Sequence, residues 1–126
     1  MNNQIPQIIN DNEYLYRGII EKFWDFKNNR VSSAAFKDSK GVSVDRSADR
    51  AESDCIIYLK KKKHFFAITK IQVIEVKKND AVVKYCPLSD NPYHSEIHNS
   101  EDKVSLTKGK ASRISRTSKV VHKNTT

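Results

Sequence analysis

The sequence predicts an α+β fold: a small, mostly antiparallel sheet with one or two helices, followed by a basic C-terminal tail or helix. Three observations predict it. Residues 65–76 alternate, with Ala67, Thr69, Ile71, Val73 and Glu75 on one side and Phe66, Ile68, Lys70, Gln72, Ile74 and Val76 on the other, the period of a half-buried strand. Residues 47–63 open with acids and close with cations, the polarity that suits a helix macrodipole. Short β-prone runs at 14–20, 31–36, 42–44 and 81–86 are separated by turn-forming residues.

In chain order, residues 1–12 are Asn/Gln-rich with Pro6 and read as a loose lead-in in which Ile8 and Ile9 are available to pack. Residues 14–20 read as a strand, which residues 21–26 either prolong or turn into a short helix. Segments 31–36 and 42–44 flank Asp38-Ser39-Lys40-Gly41, whose Asp and Gly suit a tight turn, and so predict a hairpin. Ser47 is the expected cap of the helix over 47–63, with Cys55, Ile56 and Leu59 facing inward. The strand over 65–76 is expected to turn at Lys77-Lys78-Asn79-Asp80 into residues 81–86, a second hairpin that Pro87 stops. The domain is thus bounded at 13–102. Residues 103–126 form a Ser/Thr-rich tail, conditionally helical because its apolar stripe is thin and Gly109 interrupts its start.

The chain has 126 residues, 37% of them hydrophobic, with a mean hydropathy of -0.69. That length holds one core and removes roughly two-thirds of the unfolded surface from water, so neither disulfides nor a structural metal is needed. No apolar run approaches the roughly 20 residues of a membrane span. The start, Met1-Asn2-Asn3-Gln4, has neither a cationic region nor an apolar stretch, so a cytoplasmic protein with no membrane partner is expected. Cys55 and Cys86 lack Cys-x-x-Cys spacing and are expected to be free thiols. Gly18, Gly41 and Gly109 lie too far apart for a phosphate loop, which excludes nucleotide hydrolysis by that route together with the kinase and Rossmann patterns. No cofactor and no metal site are expected.

Lys and Arg total 23 against 15 Asp and Glu, a formal charge of +8. The excess is local: residues 103–126 hold Lys103, Lys108, Lys110, Arg113, Arg116, Lys119 and Lys123 and no carboxylate. A block of like charge repels itself and commonly meets polyanions. Tail hydroxyls such as Ser112, Ser115, Thr125 and Thr126 can add donors to phosphate oxygens. The expected function is a non-catalytic accessory module that contacts nucleic acid, or a nucleic-acid-bound partner, through Lys108, Lys110, Arg113, Arg116 and Lys119. Lys60, Lys61, Lys62 and Lys63, followed by two phenylalanines, form a second candidate patch. A protein-interaction or immunity-like role, with a protein partner, is another expectation.

A different class, a small enzyme on a phosphorylated or nucleotide substrate, is suggested by Arg17 and His94. Arg17 offers a planar fork of donors for phosphate, and Gly18 lets a ligand approach the backbone. His94 carries an imidazole, the side chain best suited to general acid or base work near neutral pH. In an extended chain His94, Glu96 and His98 share one face, although same-face neighbours about 7 Å apart suit a common metal poorly.

Leu15-Tyr16-Arg17-Gly18 resembles the arginine-bearing first strand of ADP-ribosyltransferases, a match of four residues. The resemblance implies an arginine that contacts NAD phosphates, a serine motif at Ser32-Ser33, which makes Ser33 a candidate catalytic residue, and Glu96 as the acid. More broadly, Tyr16-Arg17, Ser32-Ser33-Ala34-Ala35-Phe36, residues 41–46 and residues 91–97 together resemble a family of small uncharacterised bacterial proteins. That resemblance implies a bacterial, cytosolic setting and transfers no catalytic residue.

Overall fold

Six strands pair antiparallel into one sheet in a computed structural model that describes residues 5–124. Met1 to Gln4 of the expected lead-in and Thr125 and Thr126 of the tail lie outside the described residues. The strands are β1 (Tyr14–Ile19), β4 (Val42–Arg46), β5 (Ala67–Gln72), β6 (Val82–Tyr85), β7 (His94–His98) and β8 (Lys119–Lys123), in the order β6-β7-β4-β1-β5-β8. Two short strands, β2 (Trp24–Asp25) and β3 (Arg30–Val31), make a separate ribbon. Among the described residues three α-helices complete the fold: α1 (Glu52–Lys62), α2 (Val73–Lys78) and α3 (Lys108–Thr117). The α+β class is as the sequence predicts. Among the described residues no helix is long and apolar enough to cross a membrane.

Alternation divides the sheet into two apolar faces. Leu15, Ile19, Val42, Val44, Ala67, Ile71 and Ile97 join the main core, which α2, α3, the 3-10 turn Ser33–Phe36 and Trp24 complete. Tyr16 and Ile68 point the other way, against Cys55 and Leu59 of α1.

Several local expectations differ from the fold. No hairpin joins residues 31–36 to 42–44: Val31 pairs with Trp24, Ser33–Phe36 coils into a 3-10 turn capped by the Ser32 hydroxyl, and β4 pairs with β1 and β7. The long strand over 65–76 ends at Gln72. From there Val73 and Val76, three residues apart, both enter the core from one face of α2, a demand that only helical spacing meets. The turn after α2 therefore leads not to a β5–β6 hairpin but to β6 beside β7 on the far edge. Ser47 does not cap α1. Its Oγ accepts from Tyr14 N at 3.1 Å, and Ala48 and Asp49 take left-handed backbone (φ 48° and 67°) before α1 opens after Ala51.

The described parts of the lead-in and of the tail are structural. Leu106, Ala111 and Ile114 are fully buried, Thr107 caps α3 through Lys110 N, and β8 closes one edge of the sheet against β5. The boundary at residue 102 thus falls inside one folded body, because the tail's thin apolar stripe packs on the 3-10 turn and the core. The lead-in is held too: the carbonyls of Pro6 and Ile8 accept from the buried Arg46 guanidinium.

Candidate functional site

β1 pairs with β5 along its whole length but with β4 only at Leu15–Arg46 and Tyr16–Asp45. Beyond Tyr16 the two strands part, while β4 stays paired with β7 from Val42 to Asp45. Arg17 spans the fork. Its Nη1 donates to Ser43 O at 2.7 Å and its Nε to Ala35 O at 2.8 Å, and the guanidinium lies 5.7 Å from the centre of the Phe36 ring. Burial pulls its pKa down to about 10, with Asp38 opposing, so it stays cationic at neutral pH. A side chain thus supplies donors where the β1–β4 ladder stops.

The fork opens a cleft of about 430 Å³. Tyr16, Arg17 and Gly18 of β1 and Ser43, Val44 and Asp45 of β4 form its floor, Asn91 and His94 one side, and Leu59 and Phe65 an apolar wall. Lys62 and Lys63, at the end of α1, stand at the rim and are exposed. Gly18 is needed here because a Cβ would overlap the Phe65 ring packed over it. The close approach the sequence suggests at Gly18 is therefore taken by an aromatic side chain of the protein itself.

Within the cleft two polar arrangements stand out chemically. Asp45 is 4% exposed; its Oδ1 accepts from Asn91 Nδ2 at 2.8 Å, while Oδ2 is buried with no hydrogen-bond partner. Such an orphan acceptor is costly to bury. Asn91, itself 2% exposed, is pinned by Tyr93 N donating to its Oδ1 at 3.0 Å. The second arrangement is His94, whose Nδ1 lies 2.8 Å from Cys86 O and whose Nε2 lies 3.3 Å from Ser43 Oγ. A carbonyl only accepts, so Nδ1 carries the proton and, in the neutral ring, Nε2 accepts from the serine hydroxyl.

The other candidates are dispersed. Arg17 and His94 line the same cleft, but Ser33 lines a smaller pocket of about 160 Å³ with Asp25, Arg30, Ser112 and Arg116. Glu96 is turned to His98, Oε1 to Nε2 2.8 Å, and His94 is engaged elsewhere, so the three β7 side chains do not converge. Among the described residues no cluster of three or more His, Cys, Asp or Glu side chains is placed to hold a metal. Cys55 and Cys86 are free, and burial raises both thiol pKa values, which keeps them protonated and poor nucleophiles.

Of the tail cations, Lys110 Nζ donates to Asp80 O at 2.6 Å and Asn99 O at 3.1 Å, Arg113 Nε to Asn79 Oδ1 at 3.2 Å, and Arg116 to the Ser112 hydroxyl. Lys108 and Lys119 are exposed, as are all four of Lys60, Lys61, Lys62 and Lys63. Sequence reasoning singles out neither Ser43, Asp45 nor Asn91 as a site residue. The one signal in the chain is Asp45 following the alternating Val42-Ser43-Val44 of a β-prone run.

No family model, curated protein or solved structure matches the chain.

Proposed function

We propose that the cleft binds a small phosphorylated ligand of the nucleotide class. The observation that carries this reading is a cleft lined together by Asp45, whose Oδ2 is buried without a hydrogen-bond partner, and by the exposed Lys62 and Lys63. A ligand that donates a hydrogen bond to Asp45, lays a flat apolar body on Phe65 and Leu59, and turns a phosphate to the two lysines matches the acidic, apolar and cationic parts of the lining. The volume suits it, since small-molecule sites of about 300–1,000 Å³ are typical. Isothermal titration with nucleosides and their monophosphates tests the reading. Monophosphates bind more tightly than the nucleosides, Lys62→Glu with Lys63→Glu erases that difference, and Asp45→Asn weakens both. Equal binding of nucleosides and monophosphates by the native protein, or none, overturns it.

A second reading rests on the four exposed lysines at the end of α1, none of which forms an ion pair within the described residues, whereas Lys110, Arg113 and Arg116 already bond to the fold. Contact with a nucleic-acid strand then centres on Lys60, Lys61, Lys62 and Lys63, with Lys108 and Lys119 as outlying contacts. Charge-neutral glutamines at the four lysines should flatten the salt dependence of single-stranded oligonucleotide binding by about 0.7 for each phosphate no longer neutralised. Truncation at residue 102 is not a usable control, because it removes Ile114 and β8 from the fold.

A further inference from the structure

The geometry points to Ser43 as a nucleophile and His94 as its base, and we infer that the cleft transfers a phosphoryl group from its ligand onto Ser43; this rests on the cleft being a phosphorylated-ligand site. A serine hydroxyl is a weak nucleophile unless a base within hydrogen-bond reach takes its proton and a third group fixes that base. All three parts are present. Ser43 and His94 lie diagonally across the β4–β7 ladder, where Ser43 pairs with Glu96 and Asp45 with His94, and period-two alternation puts both side chains on one face. The Cys86 carbonyl fixes the imidazole, leaving Nε2 toward Ser43 Oγ at 3.3 Å. Arg17 fixes the serine's own backbone through Ser43 O.

Two further features suit the chemistry. Asp45, the direct cross-strand partner of His94, places a carboxylate beside the imidazolium that forms when the base takes a proton. Lys62 and Lys63 at the rim offset the negative charge of the phosphoryl oxygens. Ser43 is exposed and so meets a ligand without rearrangement of the fold.

The step balances as follows in atoms and electrons. Ser43 Oγ attacks phosphorus, the Oγ–P bond forms and the bond from phosphorus to the leaving oxygen breaks. The hydroxyl proton passes to His94 Nε2 and on to the leaving oxygen, which departs as an alcohol. Water then attacks phosphorus, giving its proton to His94, the Oγ–P bond breaks, and Oγ recovers the proton as phosphate leaves.

The full-length chain is treated with diisopropyl fluorophosphate, in which attack by Oγ displaces fluoride, and adducts are read by intact mass and peptide mapping; p-nitrophenyl phosphate reports turnover. One adduct is expected, on Ser43. It is absent in Ser43→Ala, unchanged in Ser33→Ala, and forms about 100-fold more slowly in His94→Gln, the size of a lost general base. Added imidazole restores labelling to His94→Ala, which a merely structural histidine does not allow, and melting curves establish that each variant is folded. No adduct, an adduct elsewhere, or labelling of His94→Gln at the native rate overturns the assignment. Titration with nucleoside monophosphates separates the two readings: binding without labelling refutes the nucleophile alone, and absence of both refutes the ligand site as well.

Discussion

Removing the Glu13 carboxylate should be strongly destabilising in this fold. Arg46 is fully buried and Glu13 is 9% exposed; Nε donates to Oε1 at 2.9 Å and Nη2 to Oε2 at 2.7 Å. Glu13 also accepts from Asn10 N at 2.9 Å and from Ala48 N at 3.0 Å, so one carboxylate ties the lead-in, β1, β4 and the left-handed turn before α1. In Glu13→Ala the guanidinium keeps only the Pro6 and Ile8 carbonyls and the face of Tyr85, 4.6 Å away. Breaking a buried pair from one side costs about 3–5 kcal/mol, because the other charge stays buried and uncompensated. At about 2.1 cal/mol/K per residue the unfolding entropy of this chain is about 0.26 kcal/mol/K, so Tm falls by about 11–19 °C in a circular-dichroism melt at neutral pH. Removing both charges, in Glu13→Ala with Arg46→Met, should cost less than the two single losses together. The pH dependence has a definite sign. Burial pushes the Glu13 carboxyl up, but the Arg46 hydrogen bond, the Asn10 and Ala48 amides and the Arg46 charge outweigh it and hold the pKa below its ordinary 4.5. The stabilisation is therefore complete above that value and disappears as pH falls through the lowered one, so the Tm gap between native and Glu13→Ala narrows only in acid. A fall of less than about 4 °C at neutral pH, or strictly additive losses in the double variant, refutes the reasoning.

Three other outcomes follow from the same packing. Ile114→Ala, at a fully buried position on α3, should cost about 2–5 kcal/mol in urea unfolding, and a neutral result would mean that the basic C-terminal segment is not part of the core. Gly41→Ala forces a Cβ onto backbone at φ +101° and within 2.7 Å of Glu96 Oε1. It should cost about 1–3 kcal/mol and shift the His98 ring resonances in NMR, because Glu96 must leave its hydrogen bond. Gly18→Ala displaces the Phe65 ring into the cleft, so it should lower stability by about 1–3 kcal/mol and weaken nucleoside monophosphate binding in the same titration; unchanged affinity would separate Phe65 from the site.

How much of this is legible in the chain depends on the range of the interaction involved. Tyr14–Ile19 and Ala67–Gln72 are readable because two-residue alternation is a local property, and the helix near residues 52–62 because its end charges are local too. Val73 to Val76 reads as the end of the strand because Val, Ile, Glu and Val satisfy period two as well as a single helical turn; only the core position of Val76 chooses between them. Asp38 to Gly41 does form a turn, with Gly41 N donating to Asp38 O at 3.1 Å, yet turn chemistry says nothing about which strands it joins. The cleft divides in the same way. Arg17 and His94 are identifiable by residue type, whereas Ser43, Asp45 and Asn91 become site residues only through pairing across 46 positions of sequence between Asp45 and Asn91.

Composition and local pattern by themselves determine that this chain builds one α+β body with free thiols and a cationic C-terminal segment. Tertiary structure alone decides that the segment is a core helix and an edge strand rather than a free arm, since a thin apolar stripe gains its stability from the surface it meets. It also decides where β1 and β4 part. The fork, its arginine bridge and the buried acid beside His94 exist because the antiparallel register carries side chains far apart in sequence onto one face, and register is a property of paired strands rather than of either strand alone.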